Sequence, residues 1–490
     1  MFSALADGML HGKQLYRELW DHKPPGVIWL YAGAIALFGR GYAAIHTLQA
    51  LFVIATALLI AWLIRATTGR LLAGALAAML YVLHAGGLAF GGFWGTAQAE
   101  VFMDLPIVTA LLLLFLAREH ADRGAWVQVA LSGVCIGSTL LLKYSALPLL
   151  LLVVLAWPAR GIRPAPRILA FALGCALPPI LLGLGMVMAG TWDDFYRATV
   201  TFNMDYRSAI AAGRPSIIAS VLYSPGRLLA LLVPAGLAVV AALRPGGSKP
   251  GGADGAARLA RIGLLLWLLA LGEVFWQGRY WVYHYHVVLL PLALLAGAGL
   301  AAASISWRSR MAPVALCAAL AACSVPYARE LRAYDRGHGL SARWSGAIDA
   351  AAMEATYTWG DYEFAQTKAV AAEIAKAVPA GEPVFIWGFE PYVYFLSQRP
   401  SASRFQNDEP LMPRYVSVHP VFTAELMDDL RRHPPSLVVV LTHDANDVEP
   451  EDSVRQLLAW SDLRQFVESR YAPAWRTGDF LCLARRPDVR

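Results

Sequence analysis

Charge and cysteine are both scarce in this chain of 490 residues. Charged residues make up 16% of it, whereas a soluble globular protein has roughly 25%. Its mean hydropathy is +0.48, and 57% of the residues are hydrophobic. This composition excludes a soluble enzyme, a disordered protein and a small disulfide-stapled module.

Several common sequence motifs are missing as well. The five cysteines form no Cys-x-x-Cys pair, so neither a disulfide framework nor a zinc site is indicated. No basic block with interleaved aromatic residues occurs, which excludes nucleic acid as a partner. No basic stretch followed by an apolar core opens the chain, so no signal peptide is predicted.

Long hydrophobic runs dominate the chain instead. A helix that crosses a hydrocarbon core of roughly 30 Å needs about 17–25 apolar residues. One run, 26–39, is too short to cross and is predicted to lie at the membrane interface, whereas ten other runs are candidate spans. The predicted fold class is therefore mainly α, a polytopic membrane protein with about 10 or 11 membrane segments. The ten candidate spans are 43–64, 71–90, 100–117, 125–142, 143–158, 168–190, 228–243, 262–276, 283–303 and 311–326.

The basic residues predict how these spans are oriented. One set of alternate loops carries thirteen Lys and Arg residues and the other set carries six. Cytoplasmic loops are the basic ones, so the first set is predicted to be cytoplasmic. Counting spans from these loops places residues 1–42, and everything after residue 326, outside the cytoplasm. The expected location is the cell membrane, with the C-terminal part extracytoplasmic.

The segment 327–490 differs from the rest because charges recur along it. Short β-like runs occur at 383–387, 436–441 and 480–485, and helix-like stretches lie between them. This alternation predicts a small α/β domain with a layered sheet. It lacks GxGxxG and GxxxxGK[ST], so nucleotide binding is unsupported. The predicted organisation is an outer-loop remnant with an interfacial helix (1–42), a transmembrane domain (43–326) and the C-terminal domain (327–490).

The strongest local feature is the stretch from Tyr16 to Gly26, which reads YRELWDHKPPG. Its two prolines stop a helix from forming through it and stiffen the backbone around Lys23. A lysine held at the depth of the lipid headgroups suits a phosphate group. The alternative is a positively charged interfacial anchor beside Trp20 and Trp29.

Charged residues inside or at the ends of apolar runs are further candidates, because they are costly there without a function or a partner. Glu100 opens a span, and Asp104 lies one turn later on the same helix face. Lys143 interrupts about thirty apolar residues and must reach the surface or meet an anion. The alternatives are a solvated span terminus for Glu100 and an outer loop for Lys143.

Two further groups carry polar side chains near the predicted outer surface. Arg279, Tyr283, His284 and His286 cluster at the mouth of the 283–303 span. A helix would point His284 and His286 in different directions, so at most one of them faces a shared site. Asp194 lies in a long aromatic loop that could line a groove for an acceptor. Plain interface or surface-loop residues are the alternative in both cases.

The stretch YRELWDHKPPGVIWLYAGAIALFG resembles the first outer loop of the C-type membrane glycosyltransferases. These include the family 39-like protein O-mannosyltransferases and the aminoarabinose transferases. The similarity continues in order along most of the chain, through QAEVFMD, GSTLLLKYSALPLL, HYHVVLLPLALLAG and VFIWGFEPYVYFLSQRPSASRF. No single one of these motifs is decisive, and their order carries the resemblance.

The resemblance implies a transferase that moves a pentose or hexose, as mannosyltransferases do, from a polyprenyl-phosphate donor. The acceptor would be a lipid, polysaccharide or protein outside the cytoplasm, and transfer would invert the sugar. No cofactor is expected, although a divalent metal is possible. The implied roles are a catalytic acid or base for Glu100, Asp104 and Asp21, contact with the donor phosphate for Lys23, Lys143, Arg279 and His284, and contact with the acceptor or sugar for His286, Tyr283 and Asp194.

The chain departs from the family at its beginning. The family pattern starts with a span and an Asp-Glu motif, whereas here Tyr16 follows Met1 almost at once. We expect Met1 to be an internal methionine and the family aspartate to lie just upstream. A degenerate, non-catalytic relative is the competing explanation. A polytopic lipid or solute transporter is a second alternative, although the halves of the chain show no paired broken helices.

Overall fold

The computed structural model is predominantly helical, with a small mixed sheet near the C-terminus. The residues it describes are 1–86, 95–118, 120, 122–156, 164–208, 225–242, 252–278, 280–305, 312–359, 362–445 and 449–487.

Six helical segments in the described part of the chain are long and apolar enough to cross a membrane, and this makes the chain a multi-pass membrane protein. Two shorter apolar helices, Gly26–Phe38 and Leu71–Ala85, accompany them. The six candidate spans are Tyr42–Thr68, Ala99–Ala117, Arg123–Leu142, Pro164–Met188, Asp254–Gln277 and Val282–Ser304.

Local sequence signals explain where several of these helices begin and end. The Asp122 carboxylate accepts a hydrogen bond from the backbone N–H of Ala125 at 3.2 Å and thereby caps the helix Arg123–Leu142. The helix Tyr42–Thr68 ends at Gly69, whose φ of 72° is the left-handed conformation in which many helices terminate. Pro25 directly precedes the helix Gly26–Phe38. Proline is tolerated at a helix start because its missing N–H would have no partner within the helix there.

Glycines allow two of the spans to pack in very close contact. Added Cβ atoms at Gly133 and Gly137, one turn apart on one helix, would lie 2.2 Å from the Phe171 carbonyl oxygen and 2.3 Å from that of Cys175. An added Cβ at Gly174 would likewise meet the backbone of the helix Arg123–Leu142. Small residues four positions apart are a common basis of helix packing in membranes. The helix Arg123–Leu142 is therefore held tightly against Pro164–Met188.

Four of the ten predicted spans have no counterpart among the six candidate helices: 71–90 and 228–243 overlap the helices Leu71–Ala85 and Pro225–Ala242, and the other two differ more. The run 143–158 was predicted as a span, but Tyr144–Ala156 is a 3₁₀ helix that contains Pro148. The run 311–326 is part of a single helix, Ala312–His338, which continues past the predicted domain boundary at residue 327. The short run 26–39 forms the helix Gly26–Phe38, close to its predicted limits.

The remaining helical elements connect the spans, belong to the C-terminal part, or, for Gly252–Gln277, Val282–Val288 and Leu289–Ile305, give the full extents of two spans named above. The first is the short helix Phe2–Leu10, which precedes the loop of residues 11–25, called the first loop below. In chain order the others are Trp192–Tyr196, a π-helical turn at Arg197–Thr201, Phe202–Ser208, Pro225–Ala242, Gly252–Gln277, a 3₁₀ turn at Val282–Val288, Leu289–Ile305, Leu340–Trp344, Ala350–Glu354, Phe364–Ala377, Tyr392–Ser397, a 3₁₀ turn at Glu409–Leu411, His419–Arg432, Ser453–Ala459 and Ser461–Arg470.

The C-terminal domain is built on a four-stranded sheet. Its strands are β3 (Val384–Trp387), β4 (Leu437–Leu441), β5 (Tyr471–Thr477) and β6 (Phe480–Arg485), in the order β3–β4–β6–β5. The pair β3–β4 is parallel, with Val384 opposite Leu437, and the other two pairs are antiparallel. A separate antiparallel pair joins β1 (Thr358–Trp359) to β2 (Tyr362–Glu363).

The three β-like runs predicted from the sequence are confirmed as β3, β4 and β6. All residues of β3 and β4 are buried, as expected for short continuous apolar strands inside a domain. The strand β5, with the sequence YAPAWRT, was not predicted, because its proline and its mixed exposure weaken the strand signal. The sheet and its helices confirm an α/β domain.

Candidate active site

An ion pair between Glu100 and Lys143 forms the centre of the candidate site. Glu100 lies in the first turn of the helix Ala99–Ala117, and its side chain is 1% exposed. Lys143 directly follows the helix Arg123–Leu142 in an extended conformation, and its side chain is 17% exposed. Each charge would be costly alone in this environment, and the pair offsets that cost.

Asp104 lies one helical turn further along the same face and is also buried. The Tyr81 hydroxyl donates a hydrogen bond to Asp104 Oδ2 at 2.8 Å. The Nε2 atom of His286 lies 3.4 Å from the same oxygen. Asp104 therefore joins three segments of the chain, including one from the predicted outer mouth of the 283–303 span.

Glu273 is a further member of this site, and it was not among the candidates from the sequence. It lies on the helix Gly252–Gln277, is 2% exposed, and accepts a hydrogen bond from the Ser145 hydroxyl at 2.9 Å. It interacts electrostatically with Lys143, Glu100 and Asp104. The signal was present in the sequence, because a lone acid in the apolar run 262–276 is a functional candidate by default.

We call Glu100, Asp104, Lys143, Glu273 and His286 the buried charged cluster. A small cavity opens beside it, with Asp104 and Glu273 in its wall and apolar side chains around the rest. Five charged or titratable side chains therefore meet in an otherwise apolar bundle. Such clusters are uncommon in membrane proteins and mark substrate or proton sites.

The first loop contains a second pair of charged groups. The Asp21 carboxylate accepts a hydrogen bond from the backbone N–H of Lys23 at 2.9 Å, and Asp21 is fully buried. Burial raises the pKa of the Asp21 carboxyl, and the nearby positive charge of Lys23 opposes that change. The Lys23 ammonium lies 4.5 Å from the centre of the Phe2 ring. The two prolines follow Lys23 directly.

Two close contacts of the helix Gly26–Phe38 bring the end of the first loop towards the buried charged cluster. Gly26 packs so tightly on the end of the helix Arg123–Leu142 that an added Cβ would lie 2.4 Å from the Leu141 carbonyl oxygen. Leu141 is two residues from Lys143. The Tyr31 hydroxyl donates to the Ala97 carbonyl at 3.0 Å, three residues before Glu100. Lys23 and Lys143 therefore lie on neighbouring segments of one region.

Unusual backbone conformations flank this region. Tyr16, Ala97 and Tyr280 have φ values of 71°, 53° and 53°, although none is a glycine. Such conformations cost on the order of 1–3 kcal/mol each and persist where the surrounding structure enforces them. They precede Asp21, Glu100 and His284, respectively, by only a few residues. Strain of this kind clusters at binding and catalytic sites.

The structure places the predicted residues Tyr283 and His286 at the buried charged cluster, and His284 beside Tyr283. The Lys143 ammonium lies 5.7 Å from the centre of the Tyr283 ring, which places Tyr283 at the cluster. His284 is buried with its ring edge-on to Tyr283, whereas His286 is the histidine that reaches Asp104. Arg279 lies outside the described residues.

Asp194 is held by ion pairs with two arginines. It pairs with Arg17 at 3.2 Å and with Arg404 of the C-terminal domain at 3.5 Å. Its carboxylate is thus engaged by two guanidinium groups. Its contact with an acceptor remains a prediction.

Within the part of the chain that the structure describes, no three His, Cys, Asp or Glu side chains are placed to hold a metal ion together. The possible divalent metal therefore remains a prediction from the resemblance.

Comparison with known proteins places this geometry in a fold family. The family model for dolichyl-phosphate-mannose-protein mannosyltransferases matches residues 22–181. The crystal structure of ArnT from Cupriavidus metallidurans bound to undecaprenyl phosphate is similar with a TM-score of 0.58 at 14% identity, over 99% of this chain and 93% of that one. The chain has the C-type glycosyltransferase fold.

A second structure of this fold supports the assignment. The archaeal oligosaccharyltransferase AglB from Archaeoglobus fulgidus, in complex with an inhibitory peptide and a dolichol-phosphate, is similar with a TM-score of 0.52 at 12% identity, over 100% of this chain and 70% of that one. A comparison with curated protein sequences gives no match. The expected resemblance to the C-type glycosyltransferases is thus confirmed for the fold.

The segment matched by the family model covers part of the candidate site. It contains Lys23, Glu100, Asp104 and Lys143, whereas Glu273 and His286 lie beyond it. The buried charged cluster of this C-type fold therefore combines residues from inside and outside the matched segment.

Proposed function

We propose that the chain transfers a sugar from a polyprenyl-phosphate donor to an acceptor on the outer face of the cell membrane. The observation that carries this proposal is the buried ion pair of Lys143 and Glu100, set in a C-type glycosyltransferase fold. It offers a cation for a lipid phosphate and a carboxylate for an acceptor hydroxyl. The similar crystal structures of ArnT and AglB contain undecaprenyl phosphate and dolichol-phosphate, which supports a donor of that class.

Lys23 and Lys143 are the proposed contacts of the donor phosphate. Lysine binds phosphate as a compact point charge, and both residues lie on segments that meet at Gly26 and Leu141. When the bond between the sugar C1 and the phosphate oxygen breaks, negative charge grows on the leaving phosphate. Two ammonium groups in contact with the phosphate would stabilise that charge without any need for a metal ion.

A carboxylate supplies the second half of the reaction. It accepts the proton of the acceptor hydroxyl while that oxygen attacks C1 from the side opposite the phosphate. The products are a sugar of inverted configuration at C1, a polyprenyl phosphate and a protonated carboxyl group. Glu100, Asp104 and Asp21 are the candidates for this base, and Glu100 is favoured because it is paired with a proposed phosphate ligand.

The ion pair suggests how the base becomes available. Without a donor, Lys143 and Glu100 neutralise each other. A phosphate that binds Lys143 competes with Glu100 for the same ammonium group. Glu100 is then left as a free carboxylate close to C1, which is where the acceptor must be deprotonated. The donor would therefore have to bind before Glu100 can act as the base.

The matched family model suggests which substrates to test first. Mannose is the first sugar to test, because the family model that matches residues 22–181 describes mannosyltransferases. Other hexoses and pentoses fit the same chemistry. A lipid, polysaccharide or protein of the cell envelope would be the acceptor, and the C-terminal domain would lie on the same side of the membrane as the transfer reaction.

A transfer assay on the purified chain in liposomes tests the proposal. Radiolabelled polyprenyl-phosphate hexoses and pentoses would be supplied together with an extract of envelope lipids. We expect one sugar to be transferred for each polyprenyl phosphate released. Lys23→Met should lower the rate by about 100-fold, because one of two charges on the leaving phosphate is lost.

Lys13→Met is the matched control, since Lys13 is a half-buried lysine of the same loop. It should keep the rate of the unmodified chain. Equal rates for Lys23→Met and the unmodified chain would remove Lys23 from the site. No release of polyprenyl phosphate from any donor of the panel would contradict the proposed function itself.

A further inference from the structure

The first loop depends on other parts of the molecule for its shape. It lies between two helices, and Tyr16 within it adopts the left-handed conformation although it is a large, fully buried residue. Such a backbone conformation is stable only when neighbouring groups hold it. The groups that hold it therefore control where Asp21 and Lys23 lie.

Arg404 of the C-terminal domain makes the most direct contacts with this loop. Its guanidinium donates a hydrogen bond to the Tyr16 carbonyl at 2.9 Å. Its own backbone carbonyl accepts a hydrogen bond from the Trp20 N–H, also at 2.9 Å. The loop is thus attached to one residue of another domain at two points, four residues apart.

The Arg404 side chain is itself firmly held. It is 8% exposed and pairs with Glu425 and Asp194. Its guanidinium carbon lies 4.9 Å from the centre of the Phe405 ring and 5.3 Å from that of Phe422. A planar guanidinium can satisfy several acceptors at fixed angles, which a lysine ammonium cannot reproduce.

The contact continues to Lys23. The Tyr16 hydroxyl donates a hydrogen bond to the Lys23 carbonyl at 2.9 Å, so the residue that Arg404 holds also holds Lys23. A second attachment comes from Asn203, whose side-chain amide donates to the His22 carbonyl at 2.7 Å. The backbone on both sides of Asp21 is therefore fixed by residues distant in sequence.

We propose that Arg404 is a positioning residue for Lys23, which makes the C-terminal domain part of the donor-phosphate site. Arg404 acts through Tyr16 and has no contact with the reacting atoms. Its effect on transfer rests on the proposed function, whereas its effect on the loop does not. The C-terminal domain is then required for donor binding itself, beyond any role in recognising an acceptor.

Hydrogen exchange of the full chain, combined with transfer kinetics, tests this inference. In Arg404→Lys the charge remains but the fork geometry is lost. We expect backbone exchange in residues 14–23 to become at least ~10-fold faster, since this loop loses a structural hydrogen bond. Exchange in strand β4 should not change. Both kcat and the affinity for the polyprenyl-phosphate donor should fall, because a displaced Lys23 holds the phosphate less well and stabilises its growing charge less.

Arg399→Met is the matched control. Arg399 donates to the Val378, Ala375 and Ser397 carbonyls inside the C-terminal domain. Its loss should speed exchange around those carbonyls and leave residues 14–23 unchanged. Asn203→Ala is a second test that leaves the C-terminal domain intact, and it should speed exchange near His22.

Two outcomes would overturn the inference. One is unchanged exchange of residues 14–23 in Arg404→Lys. The other is faster exchange of the loop in Arg399→Met to the same extent, which would show a general loss of domain structure. If the loop loosens as expected but no donor is ever turned over, the positioning contact stands and the proposed function fails.

Discussion

Lys143 is the lysine of the buried charged cluster, and its positive charge offsets part of the negative charge of the buried acids. Glu100 pairs with it, Glu273 interacts with it electrostatically, and Asp104 lies one helical turn from Glu100; three buried acids with one lysine are costly. His286, at 3.4 Å from Asp104, is the second basic group in the cluster. The net charge of the cluster therefore depends on the protons and ligands that it binds. A donor phosphate that binds Lys143 would change this net charge directly.

A pair of substitutions separates the structural part of this ion pair from its catalytic part. Lys143→Met leaves Glu100 buried without its cation and should lower the free energy of unfolding by about 3 kcal/mol. Adding Glu100→Gln removes the unpaired charge and should restore most of that loss. Transfer should fall by about 100-fold or more in both variants, because one of the two proposed phosphate ligands is missing.

Thermal unfolding in detergent and the transfer assay measure the two effects. A double variant that is as unstable as Lys143→Met would argue against a charge-pair explanation. Substantial transfer by the double variant would remove both residues from the reaction.

Individual buried charges could be picked out from the sequence more readily than their partners. Glu100, Asp104 and Lys143 could be chosen because each interrupts an apolar run, and a charge at such a position has few inexpensive explanations. That Lys143 pairs with Glu100, and His286 with Asp104, depends on how distant helices pack. Glu273 was counted as part of a span, although the same rule that selected Glu100 applies to it.

At the scale of elements, the contact between the helices Gly26–Phe38 and Arg123–Leu142 brings the first loop to Lys143. The contact depends on the missing side chain of Gly26, since an added Cβ would lie 2.4 Å from the Leu141 carbonyl oxygen. A backbone oxygen within a helix cannot move aside easily. The close approach follows from this position in the three-dimensional structure, and the sequence alone did not indicate it.

Gly26→Ala should therefore shift the first loop away from the cluster. We expect donor-dependent transfer to fall by roughly 100-fold, since a displacement of about 1 Å between reacting groups has an effect of that size. Gly33→Ala on the same helix is the control, because no atom lies within 4 Å of a Cβ added there. It should keep the transfer rate of the unmodified chain.

Steady-state rates with a saturating acceptor measure both variants. Equal losses in Gly26→Ala and Gly33→Ala would point to the helix as a whole rather than to its contact with Leu141. Full activity in Gly26→Ala would show that the close approach is not needed for the reaction.

The elements themselves were partly predictable. The apolar strands β3, β4 and β6 followed from short continuous hydrophobic runs. The run 143–158 has the composition of a span, but Pro148 lies inside it and the observed element is a 3₁₀ helix. Hydrophobicity predicts that a segment is buried, whereas its helix type depends on backbone hydrogen bonds and packing.

At the scale of the whole molecule, the C-terminal domain and the membrane helices form one structural unit around the first loop. The helix Ala312–His338 connects the two parts without a break. Arg404 and Asn203 then attach the loop from the C-terminal domain and from the helix Phe202–Ser208, respectively. The predicted boundary at residue 327 separates two compositions, but it falls inside a continuous helix.

Lysine reactivity in the presence of polyprenyl phosphate is the most direct test that Lys23 and Lys143 bind a lipid phosphate. The chain has only six lysines, so each can be followed by mass spectrometry after acylation in liposomes. We predict that polyprenyl phosphate slows the labelling of Lys23 and Lys143 and leaves the exposed Lys376 unchanged. Neutral polyprenol of the same length should protect none of them. Equal labelling of Lys23 and Lys143 with and without polyprenyl phosphate, or equal protection by polyprenol, would contradict the proposed donor site.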